Sequence, residues 1–241
     1  MEMDLNRPAT IRAAYDAAIE EAGAFDAVIN NAGDGVFGPF EHMLEEEVRR
    51  QFETLVFGPL ALIRCALPAM RARGAGVIVN VTSLAARLPI PFMAPYSAAK
   101  SALSTLSATL AIELTGSGVR IVEVQPGDIA TSFNNAMRRG ENVSGYERLV
   151  GRGWEMIESE MAAAPPPALV AEAILRALSD PTVRVTAGGF FQARIATLAA
   201  RLLPHRAILW GIARFYGLNS LRRNTSHAAP ATAASKIARS E

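Results

Sequence analysis

The stretch Gly76-Val77-Ile78-Val79-Asn80-Val81-Thr82-Ser83 decides the fold of this chain. Its continuous β-branched run, with Gly76 before it and Ser83 after it, is typical of a strand that is buried on both faces. Helices and strands alternate around it. A helix is expected over 7–23, a buried strand over 27–29 and a long helix over about 41–70, which Pro68 ends. After the central strand, a helix is expected over about 96–114 and a strand over 120–124. This alternation predicts an α/β domain with a parallel sheet and helices on both faces.

The pattern loosens after Pro126-Gly127. Polar, glycine-containing helices are expected over 134–164, followed by a break at Pro165-Pro166-Pro167, a helix over 168–178 and a short strand over 183–186. Residues 190–218 predict two amphipathic segments, and residues 219–241, rich in Ala, Ser and Thr, predict a disordered tail. The chain therefore divides into a domain over 1–189, a helical extension over 190–218 and a tail over 219–241.

Composition excludes several classes of protein. Half of the 241 residues are apolar and a fifth are charged, which indicates a packed globular domain rather than a disordered chain. An integral membrane protein is not expected, because no run of about 18 uncharged apolar residues occurs. A single cysteine, Cys65, excludes an internal disulfide, and the start Met-Glu-Met-Asp lacks the basic and apolar regions of a signal peptide. A reducing cytoplasm is the expected location.

Gly33-Asp34-Gly35-Val36-Phe37-Gly38 matches G-x-G-x-x-G and follows a predicted strand. In a dinucleotide fingerprint the glycines open a helix whose first amides face the pyrophosphate. Here Pro39-Phe40 follows, the helix is expected only from about Glu41, and no acidic residue closes a strand about twenty residues later. We therefore reject this match as a phosphate-binding loop.

Tyr96 and Lys100 carry a stronger signal. Their spacing places both side chains on one helix face, and Ser83 is expected at the carboxyl end of the neighbouring strand, where open α/β sheets bind ligands. Two unit charges 4 Å apart at an effective dielectric of ~20 interact by about 4 kcal/mol, so the Lys100 ammonium is expected to lower the pKa of the Tyr96 phenol by up to roughly three units. A tyrosine shifted in this way becomes a usable base.

Four motifs in order resemble the short-chain dehydrogenase/reductase family. They are Asn30-Asn31-Ala32-Gly33 after a strand, the serine of Val81-Thr82-Ser83, the Tyr96-x-x-x-Lys100 pair and the run Pro126-Gly127-Asp128-Ile129-Ala130-Thr131. The resemblance covers about residues 4–190. It implies a Rossmann-like, doubly wound parallel sheet that binds NAD or NADP.

The resemblance also implies roles for single residues. Tyr96 would move a proton to or from the substrate oxygen while hydride passes between the substrate carbon and the nicotinamide. Lys100 would hold the nicotinamide ribose and Ser83 would orient the substrate oxygen. The remaining cofactor contacts implied are Asp4 and Leu5 at the adenine, Asn30, Ala32 and Gly33 along the adenosine, and Pro126, Gly127, Ile129 and Thr131 at the nicotinamide.

Two departures from the family pattern qualify these expectations. The sequence begins where the family's third strand ends, so the first two strands and the glycine-rich loop, about 50 to 60 residues by the size of βα units, are expected to be absent. The strand over 27–29 would then be an apolar open edge, and we interpret the chain as truncated by a misplaced start site or as a gene fragment. The second departure is Leu55, which stands where the family usually has an asparagine that holds a water on the proton path.

The sequence thus predicts an NAD(P)-dependent oxidoreductase that interconverts a secondary alcohol and a carbonyl. The alternative is a truncated relic or binding module that keeps the fold without cofactor or catalysis. Apolar residues between Ser83 and Tyr96 favour a small apolar alcohol or ketone as substrate, with residues 132–164 as its lid. Neither a metal site nor nucleic-acid binding is expected, because the three histidines lack nearby ligands and the net charge is only +1.

The extension over 190–218 leaves two interpretations open. Residues 190–241 contain eight Lys and Arg against one acidic residue, whereas the rest of the chain contains 16 against 22. In the first, the extension packs on its own domain or on a sister subunit of a homo-oligomer. In the second, it contacts a membrane surface peripherally, with arginines on its polar side, or covers an apolar substrate as a lid.

Overall fold

A four-stranded parallel sheet lies at the centre of the computed structural model, which describes residues 2–180, 184–189 and 191–218. The sheet has the order β1-β3-β4-β6, with β1 Ala27–Asn30, β3 Gly76–Val81, β4 Val119–Pro126 and β6 Arg184–Ala187. Its register pairs Val28 with Ile78 and Ile78 with Ile121. The predicted Rossmann-like α/β class is confirmed. Three predictions fall outside the described residues: the strand start at Val183, the helix start at Phe190 and the disordered tail over 219–241.

Helices surround the sheet in the alternation that the sequence predicts. In chain order they are α1 Pro8–Ala22, α2 Glu45–Phe52, α3 Gly58–Arg73, α4 Ala94–Glu113, α5 Phe133–Ala136, α6 Glu147–Ala162, α7 Ala168–Ser179, α8 Thr197–Leu202 and α9 His205–Phe215. Short 3-10 turns occur at Phe40–His42 and Leu84–Ala86, and π-helical turns at Glu53–Phe57 and Phe191–Ala196.

The two faces of the sheet carry separate apolar clusters. On one face Val28, Ile78 and Ile121 pack against residues of α3 and α4. On the other face Val79, Val122 and Val124 pack against α7. Because every second residue of a buried strand points to the same side, the continuous β-branched run of β3 supplies both clusters.

The strand β1 is an edge strand, because within the described residues it pairs only with β3. Its Ile29 side chain is 44% exposed. The apolar open edge expected at residues 27–29 is therefore present. The expected absence of the family's first two strands stays a prediction.

The long helix expected over 41–70 is present as one continuous helical stretch, but it begins at Glu45 and contains a π-helical turn. A 3-10 turn comes first, and the π-helical turn Glu53–Phe57 then separates α2 from α3. Pro68 does not end the helix, since α3 continues to Arg73 and is closed by Gly74 at φ 67°. Because proline has no backbone N–H, the carbonyl of Arg64 lacks its usual donor at Pro68. Both residues lie on the exposed side of α3, where water can replace the missing hydrogen bond.

The stretch Glu45–Arg73 is long and apolar enough to cross a membrane by length and composition alone. Its Ile63, Ala66 and Met70 are buried against the central sheet. This packing is typical of a core helix.

A second sheet was not predicted. It consists of β2 Val36–Phe37 and β5 Arg138–Arg139, paired in parallel. The region 134–164, expected to be helical throughout, therefore contains this short strand between α5 and α6. Two residues are too few to show the alternation by which strands are recognised in a sequence.

Candidate active site

The carboxyl ends of β1, β3 and β4 meet at one edge of the sheet, since the strands are parallel. Asn30 ends β1, Ser83 follows β3 by two residues and Gly127 follows β4. Helix α4 carries Tyr96 and Lys100 beneath the same edge, and both side chains are buried. The segments that the sequence singled out are thus brought to one place.

Ser83 lies close enough to Tyr96 to influence the pKa of its phenol. Ser83 has extended backbone, and its Oγ accepts a hydrogen bond from the amide of Ala85 at 3.0 Å, which fixes the side chain at the end of β3. Burial raises the pKa of Tyr96 to about 12, while a hydrogen bond with Ser83 opposes this rise and the nearby Asp128 adds to it. The expected lowering of the Tyr96 pKa is therefore wrong for this structure, because desolvation of the phenolate outweighs the other effects.

Lys100 points toward the backbone rather than toward the phenol. Its Nζ donates to the carbonyl of Val81 at 2.9 Å and lies 5.9 Å from the centroid of the Tyr96 ring. Burial lowers the pKa of Lys100 to about 8, although Asp34 acts in the opposite direction. The spacing of the two residues correctly predicted a shared helix face, but it did not reveal how strongly both groups are desolvated.

Leu55 and Gly33 line the other side of Lys100. A Cβ placed on Gly33 would lie 3.4 Å from Leu55 Cδ2 and 3.9 Å from Lys100 Nζ. Leu55 is 1% exposed and sits in the π-helical turn Glu53–Phe57. The position that departs from the family pattern is thus in contact range of the candidate site, and π-helical turns are frequent at functional sites.

Asn30 takes part in a buried polar chain. Its Nδ2 donates to Asn80 Oδ1 at 2.7 Å, and Asn80 Nδ2 donates to Ser107 Oγ at 2.8 Å. The amide of Asn30 therefore faces Asn80 on the neighbouring strand. Sequence reasoning did not single out Asn80 or Ser107, although a polar residue within a buried β-branched strand is a usable signal. The neighbouring Ala32 is exposed.

Asp4 and Leu5 lie in the loop before α1. The carboxylate of Asp4 accepts hydrogen bonds from the backbone amide and side chain of Asn6, whose Oδ1 accepts from Thr54 Oγ1. Leu5 packs so closely on Gly58 that a Cβ there would lie 2.8 Å from Leu5 Cβ. This loop is thereby fixed beside the turn that carries Leu55.

The segment after β4 is held by a residue that the sequence did not reveal. Gln192 Oε1 accepts from the amide of Asp128 at 2.8 Å, and its Nε2 donates to the Asp128 carboxylate. A Cβ on Gly127 would lie 2.1 Å from Gln192 Oε1, so the Gln192 side chain lies directly over Gly127 and would have to shift for a larger residue there. Burial raises the pKa of Asp128, and Gln192 opposes the rise. No local pattern signals a contact between residues 64 apart in sequence.

The other residues of this segment follow Pro126, the last residue of β4. Ile129 is buried, and Thr131 Oγ1 accepts a hydrogen bond from the amide of Phe133 at 3.3 Å. The ring of Phe133 in turn lies against Tyr96, with centroids 5.6 Å apart. The residues expected at the nicotinamide therefore lie along one path from the sheet edge to Tyr96.

Residues 132–164 pack over Tyr96. Met137 and Ile157 belong to the same buried cluster as Tyr96, and Trp154 packs against that cluster. Phe92 has φ 65° and places its ring against Phe37, at a centroid distance of 5.7 Å. The ring of Tyr96 is thus enclosed by apolar side chains, whereas Ser83 and Asp128 lie near its hydroxyl. Among the described residues, no group of three or more His, Cys, Asp or Glu could hold a metal ion.

A parallel α/β sheet with Ser83, Tyr96 and Lys100 gathered at its carboxyl edge is a Rossmann-like domain. Residues 1–142 match the family model of the short chain dehydrogenases. The chain belongs to this family of oxidoreductases, as its motifs indicated.

Relatives of known name or structure agree. The chain is 32% identical over 222 residues to a 3-ketodihydrosphingosine reductase of Bacteroides thetaiotaomicron, which covers 90% of this chain and 82% of the relative. A short-chain dehydrogenase from Streptomyces avermitilis superimposes with a TM-score of 0.72 at 30% identity, covering 93% of this chain and 79% of that one. A short chain dehydrogenase/reductase from Burkholderia phymatum in complex with NAD gives a TM-score of 0.74 at 25% identity, covering 88% and 76%.

Proposed function

We propose that this chain is an NAD(P)-dependent oxidoreductase that interconverts a secondary alcohol and a carbonyl on an apolar substrate. The observation that carries the proposal is the placement of Ser83, at the end of β3, beside the buried Tyr96 and Lys100 of α4, with Lys100 Nζ 5.9 Å from the centroid of the Tyr96 ring. Two hydroxyls that meet in an apolar surrounding can hold a single carbonyl or alcohol oxygen between them.

The residues near Lys100 fit the ribose of a nicotinamide nucleotide. An ammonium has three N–H donors, and one of them goes to Val81. Gly33 has no side chain, so its backbone comes close to the lysine, and a sugar hydroxyl can approach between them. When bound, the nicotinamide would accept or donate the hydride. The run from Gly33 to Gly38 continues into β2 rather than into a helix, so we assign no pyrophosphate contact to it.

Tyr96 would hold or give the proton at its hydroxyl. With a pKa of about 12 it is protonated at neutral pH, which suits proton donation to a carbonyl oxygen in the direction of reduction. Ser83 would orient that oxygen by a second hydrogen bond. Lys100 would fix the ribose and, through the Val81 carbonyl, the end of β3.

The apolar side chains around Tyr96 support an apolar substrate. Phe133 lies against its ring, and Met93 and Met137 are buried nearby. We assign residues 132–164 to the lid that covers this substrate and excludes water. The B. thetaiotaomicron relative is named a 3-ketodihydrosphingosine reductase, which agrees with a ketone as substrate. We also expect a homo-oligomer.

One observation favours the alternative of a binding module without catalysis. Gln192 fills the space over Gly127, where the nicotinamide was expected. Cofactor binding would require this side chain to move away from Asp128. The two functions therefore differ in whether NADH or NADPH binds at all.

The first experiment measures binding of NADH and NADPH by the 241-residue chain through the change in nicotinamide fluorescence. Micromolar binding supports an oxidoreductase. Absence of binding by this chain and by a Gln192→Ala variant with an unobstructed Gly127 would favour the binding module.

The second experiment measures reduction of apolar ketones by Tyr96→Phe. We expect turnover to fall by about 100-fold or more, since general acid catalysis contributes about 10²–10⁴, while cofactor binding stays unchanged. Tyr15→Phe is the matched control, because Tyr15 packs against Phe25 away from the site. Turnover retained by Tyr96→Phe refutes the proton-transfer role.

A further inference from the structure

The C-terminal extension, residues 191–218, exposes an unusual amount of apolar surface. Fifteen large apolar side chains are exposed among the described residues, and eight of them lie in this segment. These eight are Phe191, Ile195, Leu198, Leu202, Leu203, Leu209, Trp210 and Phe215. Leu202 is 71% and Trp210 63% exposed. Contiguous apolar surface of this kind marks a surface that contacts a partner or a membrane.

The charges of the same segment are of one sign. It contains Arg194, Arg201, Arg206 and Arg214 and no acidic residue. All four arginines are exposed, and within the described residues none of them pairs with a carboxylate. Arginines interleaved with Leu, Phe and Trp are typical of a segment that lies on an anionic lipid surface.

An open cavity of about 660 Å³ lies at the base of this extension, between α7, β6 and α8. Its lining includes four arginines, Arg176, Arg184, Arg194 and Arg201, and one acidic residue, Asp180, so the arginines are in excess. Two of these arginines are already paired, Arg176 with Glu172 and Arg184 with Glu123, which leaves Arg194 and Arg201 for a ligand.

Electrostatic repulsion around the cavity supports an anionic ligand. The pKa of Arg87 is lowered by burial and further by Arg184 and Arg201, although Glu123 acts in the opposite direction. Positive charges that lie close enough to repel one another are stabilised by an anion, and guanidinium groups match the oxygens of a phosphate in pairs.

The extension is anchored at both ends, which keeps its outer face directed away from the domain. Gln192 bonds to Asp128 near the start. Near the end, Tyr216 packs against the cluster around Tyr96, and the carbonyl of Gly217 accepts from Arg152 Nη1 at 3.3 Å. The outward apolar residues are therefore not simply the surface of a loose tail.

We propose that residues 191–218 bind an anionic phospholipid surface, with the apolar side chains entering the boundary of the acyl chains and a lipid phosphate bound in the arginine-lined cavity. Contact between two copies through this face is disfavoured, because it would bring four arginines of each copy together without a compensating carboxylate from the segment. The proposal does not depend on the reaction proposed above.

The test is cosedimentation of the full 241-residue chain with phosphatidylcholine vesicles, with and without phosphatidylglycerol. We expect binding to be about tenfold or more stronger to the anionic vesicles, since each juxtamembrane cation contributes ~1 kcal/mol. The double variant Arg194→Glu/Arg201→Glu should lose this preference. Leu198→Ser/Leu202→Ser should weaken binding to the anionic vesicles by a similar factor without unfolding, because both side chains are exposed.

Matched controls lie elsewhere on the surface. Ile112→Ser changes an apolar residue on α4 that is 75% exposed, and Arg64→Glu reverses an exposed charge on α3. Both should bind vesicles as the parent does. Equal affinity for neutral and anionic vesicles overturns the proposal. Two other results would also overturn it. One is that the parent binds no vesicles but forms a dimer, which the Leu198→Ser/Leu202→Ser variant does not form. The other is that calorimetry detects binding of inorganic phosphate while no vesicles bind.

Discussion

Leu55 determines the surroundings of Lys100 at the scale of single residues. Its Cδ2 is the atom nearest to a Cβ built on Gly33, and the side chain is almost completely buried. A buried leucine strengthens the desolvation that lowers the pKa of Lys100 to about 8. The ammonium of Lys100 therefore keeps its charge at neutral pH at a cost to folding.

Leu55→Asn is expected to lower the free energy of unfolding by about 2 kcal/mol, because an amide without partners costs about 1–3 kcal/mol in a buried position. Leu55→Met, which keeps an apolar side chain of similar volume, should cost about 1 kcal/mol or less. Urea denaturation measures both. A Leu55→Asn variant as stable as the parent would show that the amide finds a partner, with Lys100 as the first candidate.

The sequence predicted where the side chains of Tyr96, Lys100 and Ser83 lie, but it gave the wrong direction for the pKa shift of Tyr96. The spacing of Tyr96 and Lys100 fixed their common helix face, and the end of a β-branched run placed Ser83 at the sheet edge. Burial depends on which distant segments cover a residue, and the sequence near Tyr96 does not contain Phe133 or Asp128. The direction of its pKa shift therefore required the structure.

At the scale of elements, two turns that connect a helix to the following strand lie against each other. Gly74 closes α3 before β3, and Gly118 precedes β4 at φ 78°. A Cβ on Gly118 would lie 1.8 Å from the carbonyl oxygen of Gly74, whereas a Cβ on Gly116, at φ 79°, would have no neighbour within 4 Å. The two glycines thus have the same backbone conformation in different surroundings.

Gly118→Ala is expected to destabilise the fold by about 2 kcal/mol more than Gly116→Ala. Both variants carry the cost of a left-handed alanine, about 1–2 kcal/mol, but only Gly118→Ala forces two backbones apart. Thermal or urea unfolding compares the pair directly. Equal losses would mean that the contact between these two turns contributes nothing to stability.

Elements were predicted well where periodicity extends over several turns or along a whole strand. The strands β3 and β4 and the helices α1, α4 and α7 are close to their expected ranges. The single helix expected over 41–70 is present from Glu45 to Arg73. Its π-helical turn was not predicted, because such a turn inserts a residue without changing the apolar composition. Pro68 led to a wrong prediction of the helix end. Proline usually ends a helix, but its position on the exposed face of α3 allows the helix to continue.

Glu123 joins two strands of the sheet to each other at the scale of the whole molecule. It lies on β4, is 2% exposed, and pairs with Arg184 on β6. Burial raises its pKa, but hydrogen bonds from Ser104, Thr82, Arg184 and Gln125 together lower it below its ordinary value of 4.5. The folded protein therefore binds this proton more weakly than the unfolded chain does. The contribution of Glu123 to stability is complete above pH 4.5 and is lost as the pH falls through the lowered pKa.

Glu123→Gln should be less stable than the parent by about 2 kcal/mol at pH 7, because it leaves the partly buried Arg184 without its carboxylate. Its stability should also change less between pH 5 and pH 3 (about the range in which carboxylates titrate). Denaturant unfolding across this range measures both effects. Glu45→Gln is the control, since Glu45 pairs with Arg49 in an exposed position. A parent and a Glu123→Gln variant with parallel stability curves in acid would exclude this linkage.

The pairing of β2 with β5 has a consequence for how a ligand reaches Tyr96. The segment 132–164, which packs over Tyr96, is joined to the loop after β1 by few backbone hydrogen bonds. They include one between Gly35 and Arg138 (3.0 Å) and one between Phe37 and Gly140 (2.8 Å). The other contacts are made mainly by side chains. For the lid proposed above, the consequence is that opening would require the release of only a few backbone hydrogen bonds and would leave the central sheet intact. The pairing of Val36 with Arg138 and of Phe37 with Arg139 would define its closed position.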